Sequence, residues 1–355
     1  MKRLSLLLVM FVSYALAQEE QSKMRTWTSN VGTQIEAELV STTGKYVTLK
    51  TGAGRTLKVA LNKLSASDRS FIQGIPSAVK SPGGGAYPSS KVHPRSKEEM
   101  KLAMMEMRKH ADEQSAFTEE ERNACYYLNV YRYLAGLYHE TELDRSLCDA
   151  AVKAATGCEE LGKLDHDVNP EAGKCNLSGH GSIPDSIHGY MNDSGASNRE
   201  HRAHRAWCLS PKLGKLGVGV GENERFCAMW TMDRSASSRM KSEFFAYPCP
   251  GYFPVSYLKE NTAWTAYFPG AEMPAKGEIE VEVYEVSNAP EKILRHGDVP
   301  EGGRALDVNY VSLSKWVTPC VNFEPSATIK KGKKYWVSIK GGEFKAAYLV
   351  EFLSL

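Results

Sequence analysis

No cysteine precedes Cys125, and the 44 basic residues outnumber the 42 acidic ones by only two. No apolar run beyond residue 17 approaches the roughly 20 residues that a helix needs to cross a bilayer. Each absence excludes something. Without a cysteine next to the expected leader cleavage point there is no thiol for a lipid anchor, and without a second apolar run no integral membrane segment is expected in the mature chain. Removing Lys2 and Arg3 with the leader brings the 44 basic residues down to 42, equal to the 42 acidic ones, which speaks against a nucleic-acid or polyanion partner. A His-Glu-x-x-His helix, the signature of zinc peptidases, is also missing.

The features present start at the N-terminus. Lys2 and Arg3 precede an apolar run over residues 4–12, and Ala15, Leu16 and Ala17 supply a small-x-small site, so residues 1–17 read as a cleavable secretory signal peptide. The expected location is secreted or periplasmic. The 355 residues, 42% hydrophobic and 24% charged, suit a multidomain soluble chain with two or three cores. All eight cysteines lie after residue 120, an even number in a chain bound for an oxidising compartment, so disulfides are expected. Cys208 and Cys227 are the favoured pair, because a helix end and the strand after the following turn can bring them together.

From Arg25 to Ile72 the runs "IEAELV", "YVTLK" and "LKVAL" alternate at period two between glycine turns, which predicts a small β-barrel or meander. "RTWTSNVGTQIEAELV" through "GRTLKVALNKLSASDRSFI" resembles the Sla-one homology domain of endocytic adaptors, with an SH3-like fold over 18–73. That resemblance implies a module for short peptides, with Trp27 as the candidate stacking residue against the plainer role of a core aromatic. Residues 74–95, rich in Gly, Pro and Ser, read as a linker.

A helical region follows. Ser96 with Glu99, and Thr118 with Glu121, form capping-box patterns ahead of amphipathic runs, and the small residues Ala150, Ala151, Ala154 and Cys158 mark a helix built for close packing. "LNVYRYLAGL", "ETELDRSLCDAAVKAA", "HRAWCLSPKLGKLGVGV" and "FCAMWTMD" resemble the SCP-like domain of the CAP superfamily, the cysteine-rich secretory, antigen-five and pathogenesis-related group, over 96–240. The resemblance implies an α-β-α sandwich with a histidine-lined cleft. It puts His166 and His204 in the cleft positions, Pro211 in the turn, and Gly217 and Gly219 at a strand entry.

One position departs from the family pattern. Where a cleft glutamate precedes asparagine, this chain has Cys175 followed by Asn176. These two join His166 and His204 as cleft candidates, with Cys175 also considered as a nucleophile beside a histidine base. No cofactor is implied, the alternative being a divalent metal at His166 and His204. The "GEN" at 221–223 reads as a hairpin turn. After residue 240, short β-rich runs such as "EIEVEVYEV" and "KKYWVSIKGG" predict an immunoglobulin-like β-sandwich over 241–355.

The resulting expectation is a non-enzymatic exported or envelope-associated binding protein of bacterial type, taking a peptide, lipid or cell-surface ligand. The alternatives are a secreted peptidase-like hydrolase using His166 and His204, and a structural surface component.

Overall fold

The alternation between Arg25 and Ala60 forms four antiparallel strands that neighbour one another in chain order: β1 (Arg25–Thr28), β2 (Gln34–Thr42), β3 (Tyr46–Thr51) and β4 (Thr56–Ala60). The computed structural model describes residues 24–42, 46–74, 91–236, 244–275, 277–295 and 297–355. The leader expected at 1–17 and most of the linker expected at 74–95 fall outside them. Helix α1 (Ala66–Gly74) follows the strands, and the Asp68 carboxylate ties it to β1 by accepting from the Arg25 guanidinium and the Thr28 N–H, each at 2.7 Å. The core of this module is Trp27, Leu39, Val47, Leu49, Leu64 and Ile72.

Trp27 is fully buried, donates its indole N–H to the Ala37 carbonyl at 3.0 Å and meets Phe71 edge-on at 5.9 Å. The expectation of a peptide-stacking Trp27 is therefore corrected. The largest side chain of so small a sheet is needed in its core, and none of its surface is left for a ligand.

Residues 84–355 form a second compact unit. Both expected capping boxes are present, Ser96 with Glu99 opening α2 (Lys97–Asp112) and Thr118 with Glu121 opening α3 (Glu119–Leu134). Helix α4 (Arg145–Leu161) starts at an Asp144 cap and stops at Gly162 in the left-handed conformation. Two shorter helices follow, α5 (Ile183–Asn192) and α6 (Ala203–Cys208).

Two small sheets accompany these helices. The two-residue strands β5 (Glu142–Leu143) and β7 (Lys215–Leu216) pair in parallel, while β6 (Cys175–Ser178), β8 (Val218–Val220) and β9 (Cys227–Trp230) form an antiparallel sheet in the order β6-β9-β8. Helix α4 lays Ala151, Ala154, Ala155 and Cys158 on one face, against Cys175, Leu177 and Ala228. Gly217 and Gly219 make that approach feasible: a Cβ on either would lie 2.4 Å from the Leu147 carbonyl or 2.6 Å from the Val152 nitrogen. The space these glycines leave is thus filled by a helix. On the opposite face Leu128 of α3 and Ile187 and Met191 of α5 belong to the same core cluster as Val218, Cys227 and Met229.

The "GEN" segment lies in the β8–β9 hairpin, as expected. Its turn is held by the Glu159 carboxylate, which accepts the N–H groups of Asn223 and Arg225, each at 2.8 Å.

The remaining strands form two sheets. One runs β10 (Phe245–Tyr247), β12 (Trp264–Tyr267), β16 (Cys320–Pro325), β15 (Val308–Ser314), and the other β11 (Gly251–Pro254), β18 (Phe344–Leu353), β17 (Lys334–Gly341), β13 (Glu280–Val286), β14 (Arg304–Leu306). The sheets share an aromatic layer in which Trp264 meets Phe323, Tyr335 and Phe352 edge-on. All pairings are antiparallel except β11 with β18. Among the described residues one apolar cluster runs from Met100 through Leu128, Ile187 and Met229 to Trp264, Val337 and Phe352.

The expected disulfide is also corrected, since all eight cysteines are free and buried. The thiol of Cys208 faces the Met229 sulfur at 3.8 Å, so its neighbour in β9 is two residues beyond Cys227. Burial pushes the Cys227 thiol up to about 11 and those of Cys148, Cys175 and Cys320 up to about 12.

Arg132 fixes the turn that follows α6. Fully buried, it donates to the carbonyls of Tyr138, Cys208, Ser210 and Leu213 at 2.7 to 3.0 Å. Desolvation lowers its pKa to about 10, so it is still a cation at neutral pH. Arg132→Lys cannot reach four carbonyls at once and should lower the unfolding free energy by about 3 kcal/mol in urea titration. A loss below about 0.5 kcal/mol, the range of an ordinary surface change, would remove Arg132 from this role.

Candidate functional site

The most organised polar cluster centres on the C-terminus of α5. That helix ends at Asp193, a non-glycine residue in the left-handed region with φ 48°. Aspartate tolerates this conformation better than most residues do. The chain then crosses a polar loop and re-enters helix at α6 through Arg202, which is also left-handed with φ 48°. Two strained positions nine residues apart thus bracket the loop.

The Asp193 side chain is wholly buried and binds the Nδ1 of His204 at 2.9 Å, while its other oxygen receives the Arg205 N–H at 3.3 Å. The Asn198 amide lies 3.1 Å from the same imidazole nitrogen, and the ring stacks on Tyr190 at 5.6 Å. Tyr190 is fixed in turn by donating to the Asn176 carbonyl of β6 at 3.0 Å. Nε2 of His204 has no hydrogen-bond partner among the described residues, and the side chain is 22% exposed. A carboxylate on Nδ1 selects the Nδ1–H tautomer, so Nε2 is left as an acceptor facing outward.

Three arginines support the cluster. Arg205 is fully buried, donating to the Met191 and Asn192 carbonyls at the end of α5 and to Ala263 and Thr265 of the β12 region, with Tyr247 beneath its guanidinium at 4.8 Å. Arg202, also buried, donates to the Asp193 carbonyl and pairs with Glu324 of β16 at 2.9 Å. Arg199 completes the pair on Glu324 at 2.9 Å. Arg202 and Arg205 therefore pin this segment to the sheet, as their crowding around His204 suggests.

The residues singled out from sequence are divided by β6. Asn176 points toward His204, its amide donating to the His204 carbonyl at 3.0 Å. Cys175 faces α4 instead, and burial, with Glu171 and Cys158 adding to it, lifts its thiol to about 12, a poor nucleophile. His166 follows α4 and binds the carbonyl of Ala172, a residue of the same α4-side cluster as Cys175. The rings of His166 and His204 share no partner. Among the described residues no group of three or more His, Cys, Asp or Glu side chains converges as a metal site would require. A groove along α2, lined by Met104, Met105, Arg108 and Tyr126, and a polar pocket beside Glu285 and Arg304 are not lined by His204.

Asp193, Tyr190, Asn198 and Glu324 had escaped notice in the sequence. Asp193 and His204 belong to different helices with a loop between them, so the periodicity of no single element relates them, and Glu324 is more than a hundred residues away.

Residues 16–78 match the family model for SLA1 homology domain 1, SHD1, so the first module belongs to that class. No curated protein and no solved structure matches the chain. No helix among the described residues is long and apolar enough to cross a membrane.

Nitrogen-15 NMR of the histidines tests the pairing of Asp193 with His204. The neutral ring should be the Nδ1–H tautomer, and Asp193→Asn should cost about 1 kcal/mol of stability by removing the charge-assisted bond. A neutral ring protonated at Nε2 would contradict the geometry.

Proposed function

We propose that the protein is an exported, envelope-associated binding protein in which an SHD1-type module takes a short peptide and the larger unit presents a CAP-type site centred on His204. The observation that carries the second part is the His204 ring, held on one side by a buried carboxylate and stacked on Tyr190, with Nε2 unengaged. Such a ring accepts a hydrogen bond from a hydroxyl, amide or ammonium group of a polar ligand. Supporting the CAP-type reading are the His204-Arg205 pair, the Pro211 turn and the layering of helices on both faces of the β6-β9-β8 sheet. Export rests on the leader pattern before Gln18. For the SHD1-type module the peptide surface must lie away from Trp27, which its own core occupies.

The imidazole–carboxylate pair is also the arrangement of a general base, which keeps hydrolysis as the rival reading. What favours binding is that no serine, threonine or cysteine hydrogen-bonds Nε2 among the described residues, and that Cys175 lies on the other side of β6. Full-length wild type and His204→Ala should show the same background with a pool of fluorogenic peptides. His204 should nevertheless react with diethyl pyrocarbonate in the folded protein. Peptide turnover that disappears in a folded His204→Ala variant would replace the binding reading with the hydrolase, and an unreactive His204 would leave no open site to bind at.

A further inference from the structure

Of the six tryptophans, Trp316 alone is strongly exposed, at 63%, on the loop that joins β15 to β16. Its indole lies beside the imidazole of His201, with ring centroids 6.0 Å apart and planes inclined by 30°. The backbone of this second ring is fixed, because the neighbouring Glu200 carbonyl accepts from Ser312 at 2.8 Å and from Asn322 at 3.2 Å. One imidazole nitrogen, Nδ1 of His201, is buried without a partner among the described residues. The sequence neighbours of the two rings, Glu200 and Lys315, are both exposed, and neither side chain forms a hydrogen bond or ion pair among the described residues. Beyond them Arg199 stacks on Tyr310 at 4.2 Å.

We propose that Trp316 and His201 form a stacking platform for a pyranose ring of an oligosaccharide. A sugar presents an apolar C–H face edged by hydroxyls. The indole offers a flat apolar partner for that face, and the His201 imidazole beside it offers a hydrogen-bonding group for its edge. A protein partner fits this surface less well, because a binding hot spot is an aromatic set among other packed apolar groups, and the ring that meets the indole among the described residues is an imidazole. The platform does not depend on the His204 reading, since it uses different side chains, although His201 lies in the loop that leads into α6.

The test titrates the full-length protein with cellohexaose and, separately, with the hexamer of N-acetylglucosamine, following the Trp316 indole N–H by NMR with Trp316→Phe for assignment. At least one oligosaccharide should shift that resonance with a dissociation constant of about a millimolar or tighter. Trp316→Ala should weaken binding about tenfold or more, Trp316→Phe should retain most of it, and His204→Ala should leave it within about twofold. No shift with either oligosaccharide, equal binding by Trp316→Ala, or an indole that responds to protein concentration alone would overturn the proposal, the last by making the loop a contact between copies of the chain.

Discussion

The larger unit depends on one buried cation. Arg205 joins the end of α5 to β12 by giving its N–H groups to four oxygens, those of Met191 and Asn192 in α5, of Thr265 in β12 and of Ala263 just before it, so a single guanidinium satisfies helix-terminal carbonyls and anchors the helical part to the sandwich. A charge taken out of water in this way is tolerated only when fully bonded, and leaving it unpaired costs several kcal/mol. The helical and β-rich parts are therefore committed to one another, and their side chains merge into one apolar cluster.

That commitment explains the strain nearby. With Arg205 fixed, the loop from Asp193 to Arg202 has to leave α5 and enter α6 through two left-handed residues, an arrangement held by the Arg202 bond to Asp193 and the Arg202–Glu324 ion pair. One product is a buried carboxylate directed at His204. The same segment lays Glu200 and His201 along β15 and β16, which brings His201 beside Trp316. The two candidate binding features are thus consequences of a single docked segment, one on each side of Arg202.

Local patterns in the sequence were the readable part. The capping boxes at Ser96 and Thr118, the close-packing alanines of α4 and the β-meander around Trp27 follow from residue type and spacing, and the SHD1 match bears out the first module. Longer-range features were not readable. The Asp193–His204 and Arg202–Glu324 pairs arise from tertiary docking, to which no periodicity points. Cysteine count misled for a similar reason: an even number of thiols says nothing about whether their partners face one another, and Cys208 faces Met229. The glycines at 217 and 219, which the CAP resemblance puts at a strand entry, are where α4 comes against the sheet.

Through Arg205 the helices and the sandwich form one cooperative structure. Amide hydrogen exchange of the full-length protein across a urea series, following peptides from residues 145–161 and 334–341, measures this directly. Both segments should show the same opening free energy and the same urea dependence, falling together in Arg205→Met. Segments that open separately in the wild type, with the sandwich unaffected by the substitution, would contradict it.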